Sequence, residues 1–139
     1  MARGDESALT ALLFEYADAV RARDEARWSA TWADDARWVL GPGRDVVGRE
    51  AILEMWATSI AKYSVVVQVY NAASFDVDGD TASGRCEFTE LNVVADGSRG
   101  ILAGSYADTY RRTADGWRFT SRMLTKYYGG PPDLSGTFF

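Results

Sequence analysis

Apolar residues in the first part of the chain follow the period of an α-helix. Six of them recur at helical spacing: Leu9, Leu12, Leu13, Tyr16, Ala17 and Val20. This spacing predicts an amphipathic helix from about residue 6 to residue 23, with one face turned to a core. Asp24 lies where an N-cap residue belongs, so EARWSATW is predicted to form a second, short helix.

The next segment contains one strand signal and one helix signal. ARWVL, at residues 36–40, is typical of a strand, and the GPGRD that follows it is typical of a loop. Helical spacing returns over residues 49–62, where Ile52, Trp56 and Ile60 share a face. This half of the chain is therefore predicted to be mainly helical, with one strand inserted.

The remaining sequence has the pattern of β-strands. Four long β-type runs follow one another: VVVQVYNAASFDV, TASGRCEFTELNVV, ILAGSYADTYRR and WRFTSRMLTKYY. VDGD, ADGSRG and TADG separate them, and Asp-Gly between β-rich runs is the strongest short-range signal of a hairpin. The pattern predicts an α+β fold with a four-stranded meander. Residues 1–139 are predicted to form one domain, with residues 129–139 (GGPPDLSGTFF) as an irregular tail.

Composition excludes several functional classes. The net charge is −5 and no Lys/Arg cluster with interleaved aromatic residues stands out, so nucleic acid is not an expected partner. The N-terminal segment is interpreted as a helix and not as a signal peptide, and no apolar run approaches membrane-spanning length. We therefore expect a cytoplasmic protein without a membrane partner. The single cysteine, Cys86, excludes an intrachain disulfide.

The chain contains no histidine, which excludes an imidazole base and any zinc site with His ligands. FDVDGDTASGRCE places Asp76, Asp78, Asp80 and Glu87 at the acidic positions of a calcium loop. Such a loop needs glycine at its sixth position and helices on both sides, whereas the sixth position is Thr81 and both flanks are β-like. DVDGD is therefore predicted to be a hairpin turn, and neither a metal nor a cofactor is expected.

Six short motifs carry a resemblance to a known family. In chain order they are YADAV with RD two residues later, WADDARW, VGREAI, DVDGDTASGR, GSYADTYRR and DGWRF. In this order and spacing they resemble the SnoaL-like branch of the nuclear-transport-factor-two-like superfamily, over about residues 7–127. The resemblance implies a cone-shaped, curved antiparallel sheet wrapped around the N-terminal helices and enclosing one apolar pocket.

This family includes ketosteroid isomerase, scytalone dehydratase, limonene epoxide hydrolase, polyketide cyclases and non-catalytic binding modules, so its fold does not define a function. The dehydratase and dehydrochlorinase members use an Asp on the first helix with a His on the second strand. Arg21 occupies the Asp position here, and the His position falls within residues 68–71, which hold no imidazole. The resemblance therefore does not extend to that catalytic pair.

This sequence is similar to ketosteroid isomerase at the two residues that polarise the substrate oxygen. Its tyrosine and protonated aspartic acid match Tyr16 and Asp108, while the position of its base holds Leu40. We therefore predict Asp108 as a pocket-facing acid/base and Tyr16 as a donor that polarises a substrate oxygen. Arg85 and Glu87 are similar to the Arg-x-Asp of limonene epoxide hydrolase, but strand alternation turns both away from the core.

Further positions are predicted to bind substrate: Gln68, Asn71, Trp28, Trp56, Phe88, Tyr106 and Tyr110. Gln68 and Asn71 are an odd number of residues apart on one strand and cannot both face the pocket. The sequence favours a cofactor-independent lyase, isomerase or cyclase that acts by proton transfer on a hydrophobic, oxygenated ring compound of polyketide or terpenoid type. A non-catalytic small-molecule binding protein is the alternative, and an epoxide hydrolase is third. Apolar residues on both faces of the meander predict a homodimer through the outer face of the sheet.

Overall fold

The computed structural model describes residues 2–139, and its elements follow the predicted order. The helices are α1 (Ala2–Ala22), α2 (Glu25–Ala30) and α3 (Arg49–Ile60). The strands are β1 (Trp32–Gly41), β2 (Arg44–Val47), β3 (Tyr63–Asp78), β4 (Thr81–Val94), β5 (Arg99–Thr113), β6 (Gly116–Gly130) and β7 (Thr137–Phe138). The predicted meander corresponds to β3 through β6, whereas β2 begins inside the predicted loop.

The strands form one sheet in the order β2-β1-β6-β5-β4-β3, and β7 pairs with β6. β1 runs parallel to β6, while every other pair is antiparallel, so the sheet is mixed rather than purely antiparallel. The sheet is curved and does not close on itself, and it carries the helices on its concave side. The predicted α+β fold is confirmed. The tail is not wholly irregular, because it contributes β7.

Helix α1 buries the face that its sequence predicts, with Leu9, Leu13 and Tyr16 at most 2% exposed. Helix α2 begins after Asp24, whose carboxylate accepts a hydrogen bond from the backbone N–H of Arg27 at 3.1 Å. This is the predicted N-cap, and it satisfies one backbone donor that the first turn of the helix leaves unpaired. In the part of the chain that the structure describes, no helix combines the length and apolarity needed to cross a membrane.

Tryptophans occupy the centre of the core. Trp28 and Trp56 stack with their ring centroids 4.6 Å apart, and the ring of Tyr16 lies 5.4 Å from that of Trp28. Aromatic pairs at such distances contribute about 0.5–1.5 kcal/mol each beyond the burial of their area. Four tryptophans are each at most 5% exposed and belong to this core: Trp28, Trp32, Trp38 and Trp56.

The DVDGD segment is the predicted hairpin turn. β3 ends at Asp78, which pairs with Thr81 at the start of β4. Gly79, the first residue of the turn, has φ of 61°, a backbone conformation that glycine adopts without the strain a side chain would add. Among the described residues, no group of three or more potential metal-ligating side chains converges.

Candidate functional site

A cavity of about 560 Å³ opens between helices α1 and α3 and the concave face of the sheet. Its volume falls within the range of roughly 300–1,000 Å³ that small-molecule sites occupy. The walls are largely apolar and include Val20, Leu40, Trp56, Phe88, Tyr106 and Leu124. The cavity is open to solvent, whereas the sequence predicts an enclosed pocket; the difference arises because the curved sheet does not close over the helices.

Behind one wall of this cavity lies a buried ion pair between Asp108 on β5 and Arg122 on β6. The two residues are direct cross-strand partners, and neither side chain is exposed to solvent. Arg122 donates from Nε to Asp108 Oδ1 at 2.8 Å and from Nη2 to Oδ2 at 3.2 Å. Two parallel hydrogen bonds of this kind hold both groups in one geometry.

Aromatic rings and polar groups enclose the guanidinium of Arg122. Its Cζ lies 4.0 Å from the ring centroid of Tyr106 and 4.6 Å from that of Tyr16, the two tyrosines that also line the cavity. Arg122 Nη1 donates to the hydroxyl of Tyr70 at 3.1 Å, and the hydroxyl of Tyr110 donates to Asp108 Oδ2 at 3.2 Å. Tyr16 and Tyr106 therefore separate the cavity from the ion pair and contact both.

Burial sets the protonation of this network. Burial raises the pKa of Tyr16 well above its usual value and the pKa of Tyr106 to about 12, so both hydroxyls stay protonated at neutral pH. Burial likewise raises the pKa of the Cys86 thiol, which contacts Arg122, to about 11. Burial alone would lower the pKa of Arg122, but the charge of Asp108 raises it well above its usual value, and the guanidinium stays charged.

A β-bulge explains why an arginine lies in the core. Trp117 and Phe119 are buried, so simple alternation along β6 would bury Ser121 and expose Arg122. The pairing between β5 and β6 shifts register after Thr109, opposite the segment between Phe119 and Ser121. An extra residue in one strand reverses the parity of the side chains that follow, and Arg122 is consequently fully buried.

A second polar group, formed by Gln68, Glu90 and Asn92, lies in the cavity wall itself. The Glu90 carboxylate accepts a hydrogen bond from Gln68 Nε2 at 3.1 Å and another from Asn92 Nδ2 at 3.2 Å. A carboxylate offers about four lone-pair sites, so two amide donors orient it without saturating it. Gln68 Oε1 is buried and has no hydrogen-bond partner among the described residues. This group therefore combines an oriented carboxylate with an unsatisfied acceptor.

Glu90 is not among the site residues that the sequence predicts, although the sequence contains a signal for it. Alternation places the side chains of Cys86 and Phe88 on the inner face of β4, and Glu90 and Asn92 continue that face at the same period. The pairing of β3 with β4 sets Gln68 opposite Glu90. Extending the inner face by two further positions would have identified the carboxylate.

The structure brings together some of the residues that the sequence predicts and separates others. The cavity is lined by Tyr16, Gln68, Trp56, Phe88 and Tyr106. Four further predicted residues, Asp108, Asn71, Trp28 and Tyr110, do not line this cavity in the described part of the chain. Asp108, Trp28 and Tyr110 are buried behind its walls.

The alternative that the sequence leaves open between Gln68 and Asn71 is resolved by the fold. Asn71 lies at a register shift between β3 and β4, is exposed, and donates to Thr89 Oγ1 at 3.1 Å. Gln68 faces the cavity instead.

Arg85 and Glu87 lie on the outer face of β4, as alternation predicts. Their side chains form an exposed ion pair at 2.8 Å, while the intervening Cys86 is buried. This placement removes the residue pair on which the epoxide-hydrolase alternative depends, because a catalytic carboxylate has to reach the ligand cavity.

Residues 2–123 match the model of the SnoaL-like domain, which covers nearly the whole chain. The chain belongs to the SnoaL-like family. Its NTF2-like architecture agrees with this membership, including the helices packed on one side of a curved, open sheet. An uncharacterized protein of Mycobacterium tuberculosis is 28% identical over 128 residues, covering 89% of this chain and 86% of that protein.

Solved structures of other proteins are similar to this SnoaL-like chain over almost the full length. A Novosphingobium aromaticivorans protein assigned as a scytalone dehydratase has a TM-score of 0.88 and 17% identity, covering 99% of this chain and 93% of that one. The hexachlorocyclohexane dehydrochlorinase of Novosphingobium barchaimii has a TM-score of 0.83 and 22% identity, covering 99% and 95%. Identities this low show a shared fold, so the reaction of this SnoaL-like chain has to be inferred from its own residues.

Proposed function

We propose that the protein catalyses cofactor-independent proton transfer on a hydrophobic, oxygenated ring compound of polyketide or terpenoid type, as an isomerase, lyase or cyclase. The observation that carries this proposal is the Glu90 carboxylate, held by two amide donors in the wall of an apolar cavity of about 560 Å³. A positioned carboxylate within reach of a ligand-sized cavity is the minimum that general acid–base catalysis needs.

Glu90 would accept a proton from a substrate carbon next to a carbonyl group. The electron pair released at that carbon then moves toward the carbonyl oxygen, where a neutral donor such as the Tyr16 hydroxyl stabilises the developing charge. Return of the proton to another carbon gives an isomer, and departure of a neighbouring hydroxyl as water gives a dehydrated product. Burial raises the pKa of Tyr16 well above its usual value, so its hydroxyl carries at neutral pH the proton that this role needs.

Asp108 has a different role in this proposal. Its two oxygens already accept hydrogen bonds from Arg122 and Tyr110, and Tyr16 and Tyr106 lie between the ion pair and the cavity. We therefore infer that Asp108 positions Arg122, and that Arg122 in turn holds the two tyrosines of the cavity wall. A catalytic role for Asp108, as the sequence predicts, stays a prediction that the variants discussed below can test.

Two structural neighbours support the proposed reaction class. A dehydratase and a dehydrochlorinase both remove a small molecule from their substrates, and elimination of this kind begins or ends with a proton transfer. Neither neighbour identifies the substrate of this protein. The unpaired Gln68 Oε1 favours a ligand with an O–H or N–H group that can donate a hydrogen bond to it. A ligand that leaves this buried acceptor unpaired binds more weakly.

Isotope exchange tests the proposed proton transfer whichever net product the reaction gives. The protein is incubated in D₂O with a panel of cyclic ketones, hydroxyketones and enones, and deuterium incorporation or water loss is followed by NMR. We expect exchange at a carbon next to a carbonyl in at least one compound. If compounds that bind, as measured by quenching of tryptophan fluorescence, show neither exchange nor elimination, the alternative of a non-catalytic binding protein replaces the enzyme.

We also propose that the protein forms a homodimer through the outer face of the sheet. Five large side chains on that face are between 37% and 49% exposed: Val65, Val69, Leu91, Met123 and Tyr127. Burial of such a surface is favourable by about 25 cal/mol per Å². Size-exclusion chromatography with light scattering should give a molar mass twice that of one chain. The Val69→Asp variant should have a molar mass closer to that of one chain. Val47→Asp, an exposed position outside this patch, is the control, and a monomeric wild type at high concentration contradicts the proposal.

A further inference from the structure

Three basic side chains line the cavity together: Arg44 on β2, Arg99 at the start of β5 and Lys126 on β6. Arg44 and Arg99 are exposed and Lys126 is half-buried, which places them on the solvent side of the apolar walls. None of the three forms a salt bridge with any carboxylate that the structure describes. Lys126 Nζ does lie 5.8 Å from the ring centroid of Phe139.

This concentration of positive charge differs from the rest of the molecule. The chain has 20 acidic and 15 basic residues, so acidic side chains outnumber basic ones. Among the described residues that line the cavity, Glu90 is the only acid beside the three bases. Elsewhere on the surface, arginines such as Arg27, Arg37 and Arg111 are paired with carboxylates. Basic groups without partners in a concave, partly apolar site attract an anion more strongly than isolated surface charges do.

We propose that the cavity selects an amphiphilic anion, in which a hydrophobic ring system enters between the apolar walls and a carboxylate or a similar anionic group stays among Arg44, Arg99 and Lys126. This deepens the function proposed above and rests on it, because it names the charge of the substrate for the same cavity. The basic side chains orient the ligand, and Glu90 faces its reacting, oxygenated part.

Glu90 does not neutralise this basic site. Its two oxygens accept hydrogen bonds from Gln68 and Asn92, and it forms no salt bridge with a basic residue that the structure describes. The carboxylate of a ligand is therefore expected to bind away from Glu90, since like charges repel at short distance. One orientation of the ligand follows from this arrangement of charges.

A matched pair of fluorescent probes tests the selectivity. 1-Anilinonaphthalene-8-sulfonate carries an anionic group on a hydrophobic ring system, and N-phenyl-1-naphthylamine is the same scaffold without that charge. We expect the anionic probe to bind at least about fivefold more tightly, which corresponds to the ~1 kcal/mol that a partly exposed charge pair contributes. Raising the salt concentration to about 0.5 M should remove most of that preference, because screening acts only on the charged probe.

Single substitutions test which side chains cause the preference for the anionic probe. Lys126→Gln and Arg99→Gln should each weaken binding of the anionic probe by about twofold to fivefold and leave binding of the neutral probe unchanged. Arg21→Gln on the exposed face of α1, which removes the same charge outside the cavity, is the control. Glu90→Gln should strengthen binding of the anionic probe, since it removes the one negative charge of the lining that the structure describes. Circular dichroism verifies that each variant is folded.

The outcomes separate this inference from the proposed function. Equal affinity for the two probes, or an effect of Arg21→Gln as large as that of Lys126→Gln, overturns the selectivity for anions while the cavity and Glu90 chemistry stand. Failure of both probes to bind overturns the cavity as a ligand site, and the proposed function fails with it. Deuterium exchange with neutral cyclic ketones but not with their carboxylated analogues also overturns the inference and supports the enzyme.

Discussion

Replacement of Glu90 by Gln is expected to reduce turnover by about 10²–10⁴-fold, the contribution that a positioned general base typically makes. Glutamine has nearly the same shape and can still bond with Gln68 or Asn92, but its amide does not accept a proton at neutral pH. The fold and the affinity for a neutral ligand should therefore be retained. The rate of deuterium exchange at the substrate carbon is measured at saturating ligand for the variant and for the wild type, and the two rates are compared.

Glu87→Gln provides the matched control for this experiment. Glu87 lies on the same strand three residues earlier, on the outer face, where it pairs with Arg85 in an exposed ion pair. We expect its exchange rate to stay within about twofold of wild type, because an exposed ion pair contributes at most about 1 kcal/mol to stability and nothing to the cavity. Full activity of Glu90→Gln would refute the assignment of the base.

Replacement of Arg122 by Met is expected to destabilise the protein by about 3–5 kcal/mol, because it leaves the buried carboxylate of Asp108 without its partner. Neither side chain of the pair is exposed, so water cannot replace the lost hydrogen bonds. Urea denaturation followed by tryptophan fluorescence measures the change in the free energy of unfolding. Asp108→Asn should also lower the free energy of unfolding, since it leaves the guanidinium of Arg122 without a countercharge.

A double variant separates the coupling between Asp108 and Arg122 from the effects of the two single substitutions. Asp108→Leu combined with Arg122→Met should be more stable than either single variant, because an apolar pair avoids the burial of one unpaired charge. Arg85→Met, which breaks an exposed pair, is the control and should change stability by less than about 1 kcal/mol. A double variant as unstable as the sum of the singles would show that no direct coupling exists.

The same variants decide the role of Asp108. Asp108→Asn is assayed under conditions in which circular dichroism shows it folded. If Asp108 only positions Arg122 and the tyrosines, exchange should fall much less than in Glu90→Gln, and the loss should appear in ligand affinity. A loss of exchange equal to that of Glu90→Gln, with affinity unchanged, would instead make Asp108 the catalytic group that the sequence predicts.

Much of the fold follows from local patterns in the amino-acid sequence. The helical period around Tyr16, the cap at Asp24 and the Asp-Gly turns between β-runs all correspond to observed elements. These features are local, because a helix or a hairpin depends on residues a few positions apart. Strand alternation also placed Arg85 and Glu87 correctly on the outer face. The same alternation extends to Glu90, but this residue was not among the predicted site residues.

The contacts between distant parts of the chain could not be predicted from local patterns. No local pattern indicates that β1 pairs in parallel with β6, or that a bulge in β6 reverses the parity and buries Arg122 against Asp108. Register between strands depends on the packing of many side chains at once, and a shift of one residue moves every following side chain to the other face. For that reason the sequence could nominate Asp108 and Tyr16, but only the fold shows an ion pair behind the cavity wall and a different carboxylate, Glu90, within it.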